Sequence, residues 1–200
     1  MKADVRLDGK TPTAGRPRDP RIDAAILRAT TELLGEVGYT NLTLAGVAER
    51  AGTTKSALYR RWSSKAELVH EASFPAETTV LETSTGDITA DVRAMIVAAR
   101  EVFANPVVRA ALPGVTADMS VDPELHARVL SRFAESFDAV RNWLRQAVER
   151  GAVRPDVDPD RLVEVIGGAT LLRVLVRPDD ELDDAWVDQT TAIVVHGVIT

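Results

Sequence analysis

Three Asp-Pro pairs, at 19–20, 122–123 and 158–159, constrain the fold of this chain more than any other feature. An aspartate side chain accepts from the free amides that open a helix. Proline is tolerated at the first helical position because its missing N–H had no partner there. After the first pair, Ile22, Ala25, Ile26, Ala29, Leu33 and Val37 step by three and four and stop at Gly38, which predicts an amphipathic helix. Further starts are read at Thr43, Thr54, Asp87, Asn105 and Asp183, and Ser64 with Glu67 forms a capping box. The helix from Asn105-Pro106 is expected to fail near Pro113-Gly114, and the one from Asp122 to run unbroken to Gly151. Pro75 is expected to end or kink the helix that Ser64 begins, and Pro178 to follow the end of the helix from Asp158. No stretch alternates with period two for long enough to make a strand. The fold class expected is all-α, with about nine helices.

Two hundred residues, 45% of them apolar, suffice for one large domain or two small ones. Cysteine is absent, which excludes disulfides, thiolate metal sites and a cysteine nucleophile. The polar first twenty residues hold no apolar core of a signal peptide. The longest apolar stretch, 162–176, is interrupted by Glu164 and Arg173 and is too short to span a bilayer. The expectation is a cytoplasmic protein without membrane contact. The net charge of −6 argues at first against nucleic acid, but its distribution does not. Residues 1–72 carry 12 Lys and Arg against 9 Asp and Glu, whereas residues 73–200 carry 12 against 21. A mildly basic head on an acidic body suits local attraction of phosphates.

That basic head contains residues 43–65, TLAGVAERAGTTKSALYRRWSSK: a short helix, a turn at Ala51-Gly52 and a second short helix. Two helices joined by a short turn containing glycine are the signature of a helix-turn-helix, whose second helix enters the major groove of double-stranded DNA. With Leu58 at zero on a helical wheel, Trp62 falls at about +40° and Thr54 at about −40°, so Leu58 and Trp62 anchor the helix. On the same wheel Ser56, Tyr59, Arg60 and Ala57 point away, with Lys55 and Arg61 flanking. Hydroxyls and a phenol reach phosphates or bases, arginine pairs with guanine edges, and alanine touches a thymine methyl. Thr43 and Lys65, each at a helix start, are placed to meet phosphates.

The segments GYTNLTLAGVAERAG, TTKSALYRRW and SSKAELV, in that order, resemble the N-terminal domain of tetracycline-repressor (TetR) family regulators over about residues 20–70. The resemblance implies a three-helix DNA-binding head, a homodimer held by the last two long helices, and a ligand cavity among the middle helices. By position it assigns DNA contacts to Thr43, Lys55, Ser56, Ala57, Tyr59, Arg61 and Lys65. The wheel adds Arg60 and favours it over Arg61 for bases, and Thr54 joins the set as the helix cap. Thr53, Arg60-Arg61 and Trp62 depart from the residues common in the family, which leaves the operator sequence open. Beyond residue 86, the layout of GDITADVR, NPVVRAAL and the segment from Asp122 to Pro159 looks like one common regulatory domain of the same family.

The expected organisation is a flexible basic arm (1–18), a DNA-binding domain (19–64), a connecting helix and joint (65–86), and a ligand-binding and dimerisation domain (87–200). In the arm, Arg16 and Arg18 flank Pro17, and two readings stand: a hook for a narrow minor groove, or a solubilising tail. The helices after Asp158 and Asp183 are apolar on more than one face. Such helices are buried on both sides, either across a two-fold axis or centrally in their own subunit. Phe103, Phe133, Phe137 and Trp143, with Arg100 or Arg141 nearby, are candidates to line a small-molecule effector pocket, and equally candidates for plain core. The three histidines are isolated and no glycine-rich phosphate loop precedes a helix, so neither catalysis nor a cofactor is expected. No metal site is expected either: His126 with Glu124 or Asp122 is the nearest approach to one, and Asp122 already serves as a cap. The resulting expectation is a homodimeric repressor released from its operator by a small molecule. An activator, a regulator without ligand, or a helical module that has lost DNA binding are the alternatives.

Overall fold

The computed structural model describes residues 19–74, 84–177 and 182–198. Among them lie ten helices and no strand. They are α1 (Pro20–Asn41), α2 (Leu44–Arg50), α3 (Lys55–Tyr59), α4 (Lys65–Ser73), α5 (Ile88–Ala104), α6 (Pro106–Met119), α7 (Pro123–Arg132), α8 (Ala134–Glu149), α9 (Pro159–Val176) and α10 (Asp184–Val198). The arm with Arg16 and Arg18, most of the joint with Pro75, and Pro178 lie outside the described residues.

All three Asp-Pro starts are built as expected. The side chains of Asp19, Asp122 and Asp158 each accept from backbone amides of the first helical turn. Asn105 and Asp87 do the same for α6 and α5. Three boundaries differ from expectation. Gly38, at φ 71° and ψ 172°, breaks the regular dihedrals of α1, yet one more turn follows to Asn41. The long segment from Asp122 divides at Phe133 into α7 and α8. Helix α6 does not fail at Pro113 but carries it internally to Met119. A proline forfeits one helical hydrogen bond, and packing against α1 and α4 holds α6 together across it.

Two cores organise the chain. In the head, Ile26, Ala29 and Leu34 of α1 close on Val47, Ala48, Leu58, Trp62, Leu68 and Val69, and α6 contributes Ala111 and Val115. In the body, Val92, Met95 and Ile96 of α5 meet Val140, Trp143 and Leu144 of α8, Leu162 and Ile166 of α9, and Val187 and Val194 of α10. Burial of this apolar surface, about 25 cal/mol per Å², supplies the main drive for folding. Asp91 is buried within the body core, where it accepts from the indole of Trp143 (2.8 Å), the hydroxyls of Ser84 and Thr85 and the amide of Thr85. Burial alone would raise its pKa, but these donors outweigh that effect and bring it down to about 2.

Helix α9 buries Leu162, Ile166, Thr170 and Val174. Its other side leaves Val165, Leu172, Leu175 and Val176 at least half exposed, and Ile193 of α10 is 74% exposed. These helices are therefore not central to their own subunit. They present an apolar face outward.

Candidate nucleic-acid interface

The turn before the second short helix is set by Gly52, whose φ of +64° is left-handed. The amide of Thr53 reaches back to the carbonyl of Ala48 at 2.9 Å, closing α2 in a Schellman arrangement. Thr43 and Thr54 then cap α2 and α3, accepting from the amides of Gly46 and Ala57. Arg50 pairs in bidentate fashion with Glu36, both contacts at 2.9 Å, and ties α2 to α1. Leu58 and Trp62 are buried, as the wheel requires, and the Trp62 indole donates to Glu71 at 2.8 Å. The recognition helix is thereby fixed from beneath.

On its free side Thr54, Lys55, Ser56, Tyr59 and Arg60 are exposed, with Thr43 exposed at the neighbouring helix start. Tyr59, 58% exposed, is a large ring held out in solvent. Three of the residues expected to contact DNA are placed otherwise than expected. Ala57 does not point outward; it is 6% exposed. Arg61 turns inward, pairs with Asp23 of α1 and donates to the carbonyl of Ala57, so its guanidinium lies on the same shoulder as Ala57. Lys65 donates to the carbonyls of Tyr39 (2.8 Å) and Leu42 (3.3 Å) and sits over the Tyr39 ring. It fastens the end of α1 instead of extending towards a phosphate. Of these three the wheel placed only Ala57 outward; Arg61 and Lys65 were expected by position, and their partners Asp23 and Tyr39 lie on α1, which periodicity along α3 does not include.

The six effector candidates do not form one site. Arg100 pairs with Asp184 at 2.8 Å, and Arg141 pairs with Asp138 and Asp160 at 2.8 Å each. The pairs with Asp184 and Asp160 are surface ties between helices, and the pair with Asp138 lies within α8. Trp143 is core, and Phe137 lies half-buried with the Arg141 guanidinium 6.0 Å from its ring. Only Phe103 and Phe133 come together, around Phe74, Val108, Leu112 and Leu171. Sequence reasoning missed His70 and Phe74, which stack at 4.9 Å between ring centroids with Phe133 edge-on to both. Their spacing of four, from the last turn of α4 to its C-cap, was the available signal. His70 also borders a pocket of about 220 Å³ between α4 and α7, lined by Glu67, Glu71, Leu125, Arg128, Val129 and Ser131.

Residues 26–72 match the family model described as bacterial regulatory proteins, tetR family. Residues 82–194 match that of the tetracyclin repressor-like C-terminal domain. The chain belongs to the TetR family. It is 32% identical over 183 residues to an uncharacterized HTH-type transcriptional regulator of Mycobacterium tuberculosis, covering 88% of this chain and 89% of that protein. It is likewise 32% identical over 175 residues to the DNA-binding transcriptional repressor TetR of Mycobacteroides abscessus, covering 82% and 86%. Among solved structures, the TetR family transcription regulator SCO0332 superposes with a TM-score of 0.68 at 32% identity, covering 90% of this chain and all of that one. This TetR-family chain is thus a DNA-binding transcriptional regulator. Among its described residues, no helix is long and apolar enough to cross a membrane.

Proposed function

We propose that this regulator is a cytoplasmic homodimeric repressor that reads its operator with Ser56, Tyr59 and Arg60 and is released by a small molecule. Lys55, Thr43 and Thr54 contact phosphates beside them, and Arg16 and Arg18 enter the flanking minor groove. The observation that carries this reading is the partition of α3 and the turn that follows it: Leu58 and Trp62 are buried, and Lys55, Ser56, Tyr59 and Arg60 are exposed. Dimerisation through α9 and α10 is supported by their exposed Val165, Leu172, Leu175 and Ile193, since a second copy covers the same residues across a two-fold axis. The effector is assigned to the cluster of His70, Phe74, Phe103 and Phe133, which joins α4 to the body. A ligand favouring one arrangement of that cluster shifts α4 and with it the spacing of the two heads.

Selection of duplexes from a random-sequence pool, followed by footprinting, tests the proposal. Two half-sites with centres about one helical turn, or a multiple, apart support it; protection of a single isolated half-site overturns the dimeric reading. For release, a ligand that binds the His70 cluster and leaves operator affinity unchanged removes that ligand from the mechanism.

A further inference from the structure

The body touches the DNA-binding head at a second place besides α6. Helix α7 packs on α4, where Leu125 and Val129 enclose Ala66 in a small core of their own. One residue before Val129, Arg128 reaches across that contact. Its Nη2 donates to the Ser63 hydroxyl at 3.2 Å, and its Nε lies 3.5 Å from Glu67. Glu67 in turn accepts from the Ser63 amide at 2.7 Å and from the Ser63 hydroxyl at 2.6 Å. Ser63 follows directly on Trp62, the buried anchor of the recognition helix, and lies three residues after Arg60. The hydroxyl therefore donates to the carboxylate and accepts from the guanidinium, so the three side chains are linked around the turn between α3 and α4, and Arg128 also lies 3.5 Å from Glu124 on its own helix.

We infer that Arg128 is a positioning residue for operator binding, a latch by which the body holds the exit of the recognition helix. It acts through Ser63 and Glu67 and need not touch DNA. The planar guanidinium presents separate donors to a hydroxyl and a carboxylate, which a point charge on a flexible stem does not. Arg128 and Glu67 also form part of the wall of the 220 Å³ pocket between α4 and α7. Whatever separates those helices opens the latch, so the state of the body reaches the head by this route as well as through α6.

The test uses the full chain in three forms, Arg128→Gln, Glu67→Gln and the double variant. Fluorescence anisotropy is read on a labelled duplex that the wild-type chain enriches from a random-sequence pool, at a temperature well below each variant's melting point. A latch requires that each single substitution weaken binding by about threefold to tenfold and that the double variant be no weaker than the worse single one. If Arg128 acted only by attracting phosphates, Glu67→Gln would strengthen binding, and that result overturns the inference. Unchanged affinity in folded variants, with only the melting point lowered, overturns it too, because it reduces the contact to a stabilising one.

Discussion

Tyr39, in the last turn of α1, packs so closely on Gly114 of α6 that a Cβ at position 114 would overlap its ring. The Tyr39 hydroxyl donates to Asp118 one turn further along α6, at 2.5 Å. Burial, with the hydrogen bond to Asp118 and its negative charge, holds the phenol pKa well above its ordinary value. Lys65 lies over the same ring, 4.2 Å from its centroid. Gly114→Ala is therefore expected to destabilise the chain by ~1–3 kcal/mol through overpacking, read by urea unfolding. Tyr39→Phe, which removes only the hydroxyl, is expected to cost about 1 kcal/mol. A Gly114→Ala chain as stable as the wild type shows that α1 and α6 have room to part.

The carboxylate of Asp91 gives the body a specific sensitivity to acid. Its pKa is 3.8 without structure and about 2 in the fold. The stabilisation from this depressed pKa, about 2 kcal/mol, is complete above pH 4 and is lost as pH falls from there through about 2. Denaturant unfolding at pH 5 and pH 2.5 should show this loss in the wild type and a smaller one in Asp91→Asn. At neutral pH the same variant is expected to be less stable by ~1–3 kcal/mol, since an amide cannot accept from all four donors.

Lys55 and Tyr59 sit side by side on the exposed edge of α3 and are expected to fail differently. Loss of a phosphate-facing lysine in Lys55→Ala weakens every DNA sequence alike and reduces the slope of log affinity against log salt by about one. Tyr59→Ala is expected to leave that slope alone and to cost ~1–3 kcal/mol on the operator, with a smaller loss on unrelated DNA. Equal salt slopes for Lys55→Ala and the wild type exclude Lys55 from the phosphate contacts.

Leu172 and Ile193 are the test of the proposed subunit contact. Leu172→Glu or Ile193→Glu leaves the buried side of α9 and α10 intact and places a charge on the exposed apolar face. The dimer dissociation constant, from sedimentation equilibrium, is expected to rise on the order of 10²-fold, as a carboxylate without a partner is buried there. Circular dichroism should remain that of a folded helical chain. Unchanged self-association moves the interface elsewhere.

Helix starts were legible because their signals are local: an aspartate, asparagine, serine or threonine beside its own amides needs nothing from the rest of the chain. The anchors Leu58 and Trp62 were legible for the same reason, being fixed by periodicity on one short helix. Arg61 and Lys65 were not, since their partners Asp23 and Tyr39 lie 38 and 26 residues away. Pro113 misled because its local cost is real, while the packing that offsets it comes from α1 and α4. Arg100, Arg141 and Trp143 carried pocket-like chemistry in the sequence, yet each is consumed by a distant carboxylate that only the folded chain brings near.

Ala111 and Val115, two of the side chains that close the core of the DNA-binding head, arrive from the body. Transplanting residues 19–74 onto a foreign body would carry across every exposed side chain of α3 and still leave the floor beneath α1 and α4 incomplete. The smallest segment set that carries a complete head core is therefore the head together with α6. Under the proposed reading, a new operator preference is more accessible by substitution at Ser56, Tyr59 and Arg60 than by swapping the module whole.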